Sequence, residues 1–220
     1  RRFDAERGRL ELDGPVPVDA ATSYELSCGL EAPVLAIRLM MELPPGEPVP
    51  PVRLRLGTTR GTNGLLTRSG AKSALLITKG FGDLLEIGSQ ERPRLFDLAI
   101  RKSPPLAEYT LEIDERVAAD GRALRPPDVD AIRSDLRSLQ QQGVDSLAIC
   151  LLHADLYPRH EQLVKQLAGE IGFAEVSCSS EIAPLVKIVS RAETTVVDAY
   201  LNPVLGRYLN RLQAALPKSH

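Results

Sequence analysis

At 220 residues, with 43% hydrophobic and 25% charged residues, the chain has the makeup of an ordinary soluble globular protein and enough length to bury a sizeable core. A formal net charge of −2, with basic residues scattered among acidic ones, excludes a general attraction to nucleic acid or to an anionic membrane. Cys28, Cys150 and Cys178 are too few and too far apart for a disulfide framework, and no stretch reads as a membrane span or signal peptide, so reduced thiols in the cytoplasm are expected.

Residues 2–12 alternate apolar and polar around Glu6, Arg7 and Gly8, which predicts a hairpin. A loop over 13–23 and a short strand over 24–27 follow. Residues 32–42 carry Val34, Leu35, Ile37, Leu39, Met40 and Met41, a density that predicts a mostly buried helix with Pro33 in its first turn. Two proline pairs stiffen residues 43–51 into a linker. The predicted division is therefore 1–51, a hairpin, buried helix and linker, and 52–220, an α/β domain.

Residues 52–56 predict a strand, 59–69 a helix closed by Gly70, and 73–78 (SALLIT) a strand buried on both faces. A short helix over 80–87, an irregular stretch over 93–106 and an alternating strand over 109–117 come next, the last ending in an Asp-Gly turn at 119–122. From Asp128 the rhythm is helix 128–142, strand 146–152, helix 159–171 and strand 174–178, with Gly143 and Gly172 ending the helices. Such alternation predicts parallel pairing with right-handed crossovers. A long helix over 191–215, with Pro203 inside it, completes the chain.

Three polar segments fall where strands meet helices. Gly57, Thr58, Thr59, Thr62 and Asn63 offer glycines for close approach and neutral hydrogen-bonding groups, although one threonine serving as a helix cap reads equally well. Gly61 and Gly64 weigh toward a ligand, since glycine early in a helix costs about 1 kcal/mol each without such a use. Residues 177–181, with Ser180 and Glu181, form a second rim segment; Arg191, Thr194 and Thr195 form a third, whose arginine suits a carboxylate or phosphate or else ties down a loop. His153 after a strand is a further rim candidate, while His160 and His220 read as polar or helix-end residues. No phosphate-loop or zinc pattern is present, no metal site is expected, and no catalytic residue stands out.

Together these stretches resemble the hydantoinase/oxoprolinase family, in the N-terminal region of its A-type subunit. The carrying motifs are GTTRGTNGLLTRSG (57–70), ALLITKGFGDLLEIGSQERPRLFDL (74–98), DERVAADGRAL (114–124), SLAICLLH (146–153) with RHE (159–161), SSEIAP (179–184) and SRAETTVVDAYLNPVLGRYL (190–209). The resemblance implies a ribonuclease H-like half of the actin/hexokinase type, with a mixed sheet flanked by helices, forming a partial domain. It implies ATP, with magnesium, used to open a cyclic amide such as 5-oxoproline or a hydantoin. Substrate contacts would come from Thr58, Thr59, Thr62, Asn63, Arg191, Thr194 and Thr195. The alternatives are part of an acetone- or acetophenone-type ATP-dependent carboxylase, or a non-catalytic assembly domain of the same fold. Leu56 stands where the family usually has His, Gly61 and Gly64 replace alanines, and Ser190 replaces Glu. The family's Asp-Gly-Gly-Thr loop and second glycine-rich phosphate loop are not in these 220 residues. The sequence therefore reads as a piece of a longer enzyme, inactive by itself, whose partners are the rest of the parent chain and a B-type subunit.

Overall fold

A computed structural model describes residues 2–4, 9–11, 29–44, 46–89 and 102–216. The expectations for 13–23, the strand at 24–27, Cys28, most of the stretch 93–106 and His220 lie outside these residues. Two compact units divide between Pro44 and Pro45.

In the first unit β1 (Arg2–Asp4) and β2 (Arg9–Glu11) pair antiparallel with Phe3 opposite Leu10, the hairpin the alternation predicts. Helix α1 (Ala32–Met40) has proline in its first turn, but Val34 is its one buried residue. Leu39 and Met40 are 68% and 86% exposed, so apolar density overstated its burial.

Residues 52–56, where the alternation predicts a strand, form an exposed segment without regular secondary structure. The alternation is strand-like, but a strand needs a partner for its backbone N–H and C=O groups, and none among the described residues pairs with it. Helix α2 (Arg60–Leu66) follows. Its left-handed terminal residue is Arg68, at φ 50°, with Ser69 N donating to Gly64 O at 3.0 Å. Gly70, the expected terminator, instead leaves room for Tyr200, whose ring would lie 2.1 Å from any Cβ there.

The remaining elements are β3 (Ser73–Thr78), α3 (Leu84–Ile87), β4 (Tyr109–Ile113), β5 (Arg116–Val117), β6 (Ala123–Arg125), α4 (Val129–Gln141), β7 (Ser146–Cys150), α5 (Arg159–Ile171), β8 (Glu175–Cys178), α6 (Ser179–Ile182) and α7 (Ile188–Ala215). The main sheet has the order β4-β3-β7-β8, and among the described residues every pairing in it is parallel, which corrects the expectation of a mixed sheet there. The antiparallel pair β5–β6 stands apart, because the predicted strand 109–117 breaks at Asp114.

Strands β3 and β7 are buried at every residue, as continuous apolar runs in a parallel sheet require. Their side chains alternate between two cores. Ala74, Leu76, Leu147 and Ile149 pack with Ile132, Leu136, Val164 and Leu167 of α4 and α5. Leu75, Ile77, Ala148 and Cys150 pack with Ala192, Val196 and Ala199 of α7 and with Leu84 and Leu85 of α3. Helix α4 begins where the Asp128 carboxylate accepts from Asp130 N and Ala131 N at 3.0 and 3.1 Å, a side-chain cap worth about 1 kcal/mol.

From β3 the chain crosses to β4 on the α3 side; from β7 it crosses to β8 on the α5 side. Adjacent strands whose connections leave in opposite directions open a crevice at their carboxyl ends, where open α/β sheets place ligands. That crevice lies between β3 and β7.

Candidate functional site at the carboxyl edge of the sheet

Thr78, the last residue of β3, bridges the crevice. Its Oγ1 accepts from Leu152 N at 2.9 Å, so its one proton goes to Glu115 Oε1. The other oxygen, Glu115 Oε2, lies 2.6 Å from Nδ1 of His160, the second residue of α5. The direction of this chain of bonds is fixed from one end: a backbone amide only donates, Thr78 passes its proton on, and an ionised carboxylate only accepts. With the carboxylate accepting, the neutral His160 ring carries its proton on Nδ1. Glu115 is 1% exposed, and it turns inward because its own N–H closes a tight turn onto Ile113 O at 2.8 Å.

Beside it is a pocket of about 230 Å³ lined by Lys79, Asp114, Glu115, Arg116, Leu124 and Arg125. Arg125 hydrogen-bonds Asp114 at 2.5 Å, Lys79 lies 3.6 Å from the same carboxylate, and these partners hold Asp114 below the usual carboxylate range. Arg116 donates to Lys79 O at 3.0 Å. The amides of Gly80 and Gly82 grip Glu112 Oε1 at 2.8 and 2.9 Å and hold that carboxyl low as well.

A second buried carboxylate organises the β8 side. Glu161, wholly buried in the first turn of α5, accepts from Leu151 N at 2.9 Å and Ser179 Oγ at 2.6 Å on Oε1, and from Ser180 N at 2.9 Å on Oε2. Three donors and the positive end of the helix offset its desolvation. Burial pushes the Cys178 thiol up to about 12 and raises that of Cys150, so neither is poised as a nucleophile.

The expected site residues do not gather in one place. Arg191 is 1% exposed, and its guanidinium is engaged with Asp155 Oδ1 at 2.8 Å, Leu185 O at 2.8 Å and Leu151 O at 2.7 Å, the loop-tying alternative. Thr194 and Thr195 donate to carbonyls one turn back, Ser190 O and Arg191 O. Glu181 pairs with Lys165 at 2.6 Å, and Ser180 adds its amide to the Glu161 cluster. His153 takes φ 58°, an uncommon value outside glycine, and its carbonyl closes the turn onto Tyr157 N at 2.9 Å.

Thr58, Thr59, Thr62 and Asn63 are exposed and sit elsewhere. Thr58 Oγ1 accepts locally from Arg60 N at 3.2 Å. Helix α7 starts at the carboxyl edge and runs back along the sheet; α2 packs on it at Leu201, and the Arg60 guanidinium lies 4.1 Å from the Tyr208 ring centroid. Helical rise from Arg191 to Leu201 and Tyr208 places α2 about 15–25 Å from the carboxyl edge. Gly64 serves this packing, since a Cβ there would come 3.2 Å from Leu201, while one on Gly61 would make an ordinary contact at 3.7 Å. The tight approach that favours glycine at position 64 is to helix α7, and Gly57 has nothing within 4 Å of its Cβ position.

The sequence alone does not mark Thr78, Glu115 and His160 as site residues. A signal was present. Tyr109, Leu111, Ile113 and Val117 mark one phase of the alternation, and Glu115 is a charge placed in that apolar phase.

A parallel sheet with helices on both faces and a polar crevice at its switch point defines an α/β domain. Residues 24–172 match the hydantoinase/oxoprolinase N-terminal region, and the chain belongs to that family. It is 39% identical over 222 residues to a 5-oxoprolinase of Saccharomyces cerevisiae, across 84% of this chain and 17% of the yeast protein. Caprolactamase of Pseudomonas jessenii is similar in both sequence and structure: its subunit alpha is 33% identical across 72% of this chain and 23% of its own. The crystal structure of that ATP-dependent enzyme superposes with a TM-score of 0.65 at 30% identity, covering 74% of this chain and 25% of that one. A nucleotide-free acetone carboxylase shares the fold, with a TM-score of 0.63 at 24% identity over 72% of this chain and 24% of that one. The chain thus spans about a sixth of the length of the yeast relative, whose matched share is 17%.

Proposed function

We propose that the chain is the amide-activating part of an ATP-dependent cyclic amidase acting on a ring such as 5-oxoproline or a hydantoin. The observation that carries this reading is the 39% identity to a 5-oxoprolinase over 84% of the chain. A ring amide resists attack because its nitrogen lone pair is delocalised onto the carbonyl and its nitrogen is a poor leaving group. Transfer of a phosphoryl group to the carbonyl oxygen removes both obstacles, and the protein's part is positioning and charge stabilisation.

The names of the caprolactamase and acetone carboxylase neighbours support the use of ATP. Lys79, Arg116 and Arg125 suit the charge of a phosphate group, but a pocket of about 230 Å³ does not enclose a nucleotide, so the other walls are assigned to the longer enzyme. Magnesium accompanies the nucleotide, and this chain is assigned no ligand for it. In this reading the four parallel strands are one ribonuclease H-like half of an actin/hexokinase-type fold, residues 1–51 precede it, and a B-type subunit completes the enzyme, as the "subunit alpha" of caprolactamase suggests. A cytoplasmic location is assigned from the unpaired Cys150 and Cys178; no helix among the described residues is long and apolar enough to cross a membrane. The substrate contacts are assigned to the carboxyl-edge crevice, and the exposed segment from Thr58 to Asn63 is given no part in them.

The test is an assay of the full-length enzyme on 5-oxoproline, hydantoins and acetone, each with and without ATP. Ring opening coupled to ATP hydrolysis is the expected result. Carboxylation of acetone with no ring opening would overturn the reading.

A further inference from the structure

We propose that His160 is the base that takes the ring N–H proton when the amide is activated, with Glu115 and Thr78 as its positioning residues. This rests on the cyclic-amidase reading above. Most hydrogen bonds of the carboxyl edge close on themselves: those of Glu161 and Arg191 end on backbone groups, hydroxyls and Asp155. The chain from Leu152 N through Thr78 and Glu115 ends on an imidazole with one nitrogen to spare.

Nδ1 is committed to Glu115 as a donor, which in the neutral ring leaves Nε2 as the acceptor, with no hydrogen-bond partner among the described residues. Nε2 is also not one of the buried polar atoms lacking a partner, and the His160 side chain is 14% exposed, so that nitrogen is reachable from outside. Its support is rigid. The Glu115 side chain is wholly enclosed and held at both oxygens, and the same residue belongs to the lining of the pocket that carries Lys79, Arg116 and Arg125. An oriented imidazole, held by a residue that also lines a pocket with three cations, offers the acceptor that O-phosphorylation of a secondary amide requires.

The amide oxygen bonds to the terminal phosphorus of the nucleoside triphosphate, and the bond from that phosphorus to the bridging oxygen breaks with its electron pair leaving on the diphosphate. The N–H bond breaks, its pair forms the C=N bond of the phosphorylated imidate, and the proton goes to His160 Nε2. Glu115 stabilises the imidazolium so formed, and Thr78 holds Glu115 in place.

The experiment uses the full-length enzyme with 5-oxoproline and ATP, comparing wild type with His160→Ala, His160→Gln and Glu115→Gln, and recording kcat, KM and melting temperature for each. Both His160 variants are expected to lose about 10²- to 10⁴-fold in kcat while KM changes less than about threefold, and added imidazole restores part of the activity of His160→Ala. Glu115→Gln, which lets the ring adopt the tautomer with Nε2 protonated, is expected to lose about 10²-fold or more with its histidine still present. Either His160 variant retaining kcat within about threefold of wild type overturns the inference and leaves the functional reading intact. So does a fall in melting temperature that accounts for the lost activity with no rescue by imidazole, since that is the behaviour of a structural strap. A wild-type enzyme without ATP-dependent ring opening overturns the functional reading, and this inference with it.

Discussion

At the carboxyl end of the main sheet Glu115, Glu161 and Arg191 are each at most 1% exposed, whereas at the amino end the buried polar groups of the strands are the hydroxyls of Ser73 and Ser146, register partners across β3 and β7. Small neutral side chains suffice to close the amino end, even though neither hydroxyl has a partner among the described residues. The carboxyl end accepts the cost of burying charge, and each charged group there fixes several others. Glu161 ties the end of β7 to the start of α6, and Arg191 ties α7 to the loops at 151, 155 and 185. The carboxyl end is thus the end tied together by buried charge, and the polar residues most conspicuous in the sequence, Thr58 to Asn63, lie away from it.

The comparison breaks most easily at Glu161. Replacing it with alanine strands Leu151 N, Ser179 Oγ and Ser180 N in a sealed site and should cost about 3–5 kcal/mol, read as a shift of the urea midpoint. Glu161→Gln keeps an accepting oxygen and should lose less. A loss below about 1 kcal/mol for the alanine variant would mean that water readily replaces the carboxylate, and the carboxyl end would not be specially rigid.

Arg191→Ala should cost about 3 kcal/mol, because it leaves Asp155 without its buried partner as well as freeing two carbonyls. Thr58→Ala and Asn63→Ala, at exposed positions, should each stay within about 0.5 kcal/mol of wild type. If either alanine in the α2 segment abolished turnover of the full-length enzyme while stability held, the substrate contacts would belong to that segment and the comparison would need to be reversed.

A smaller, matched pair probes both ends through aromatic rings laid on glycine. A Cβ on Gly70 would come 2.1 Å from the Tyr200 ring near the amino end, and one on Gly121 would come 2.5 Å from Tyr157 beyond the carboxyl end. Each alanine variant should lose about 1–3 kcal/mol in thermal or urea unfolding. Gly121 sits at φ 84° in its turn, so backbone strain adds to the clash there, and Gly121→Ala should be no milder than Gly70→Ala unless the Tyr157 ring swings out.

Much of this fold is legible in the sequence, because burial imposes periods. SALLIT and SLAIC read as doubly buried strands, and Asp128 with Ile132, Leu136 and Leu139 reads as a capped, one-sided helix. Where the reading failed, the missing quantity was a partner. Residues 52–56 alternate like a strand but have none to pair with, and α1 is apolar enough for a core helix yet buries only Val34. The site was harder to read, since attention to loops with glycine and threonine draws the eye to α2. The better signal is a charge on the apolar phase of an otherwise regular pattern: Glu115 in the run Tyr109, Leu111, Ile113, Val117, and Glu161 on the stripe Val164, Leu167, Ala168. Pattern alone gives the position of such a charge but not what it holds, which depends on elements far away in the chain.

The smallest expected effect carries the sharpest sign. Gly61 lies inside α2, where glycine costs roughly 0.5–1 kcal/mol relative to alanine, and a Cβ there would meet Leu201 at 3.7 Å, an ordinary contact. Gly61→Ala should therefore stabilise the protein by about 0.5–1 kcal/mol and leave turnover unchanged. At Gly64, one turn on, the corresponding distance is 3.2 Å, so Leu201 must give way and the gain in propensity is largely cancelled. If the glycines served a ligand, both substitutions would lower turnover irrespective of stability. If they serve the α2–α7 contact, the two variants differ in stability in the order of their distances to Leu201. Unfolding curves for the pair, set beside their turnover in the full-length enzyme, separate the two accounts.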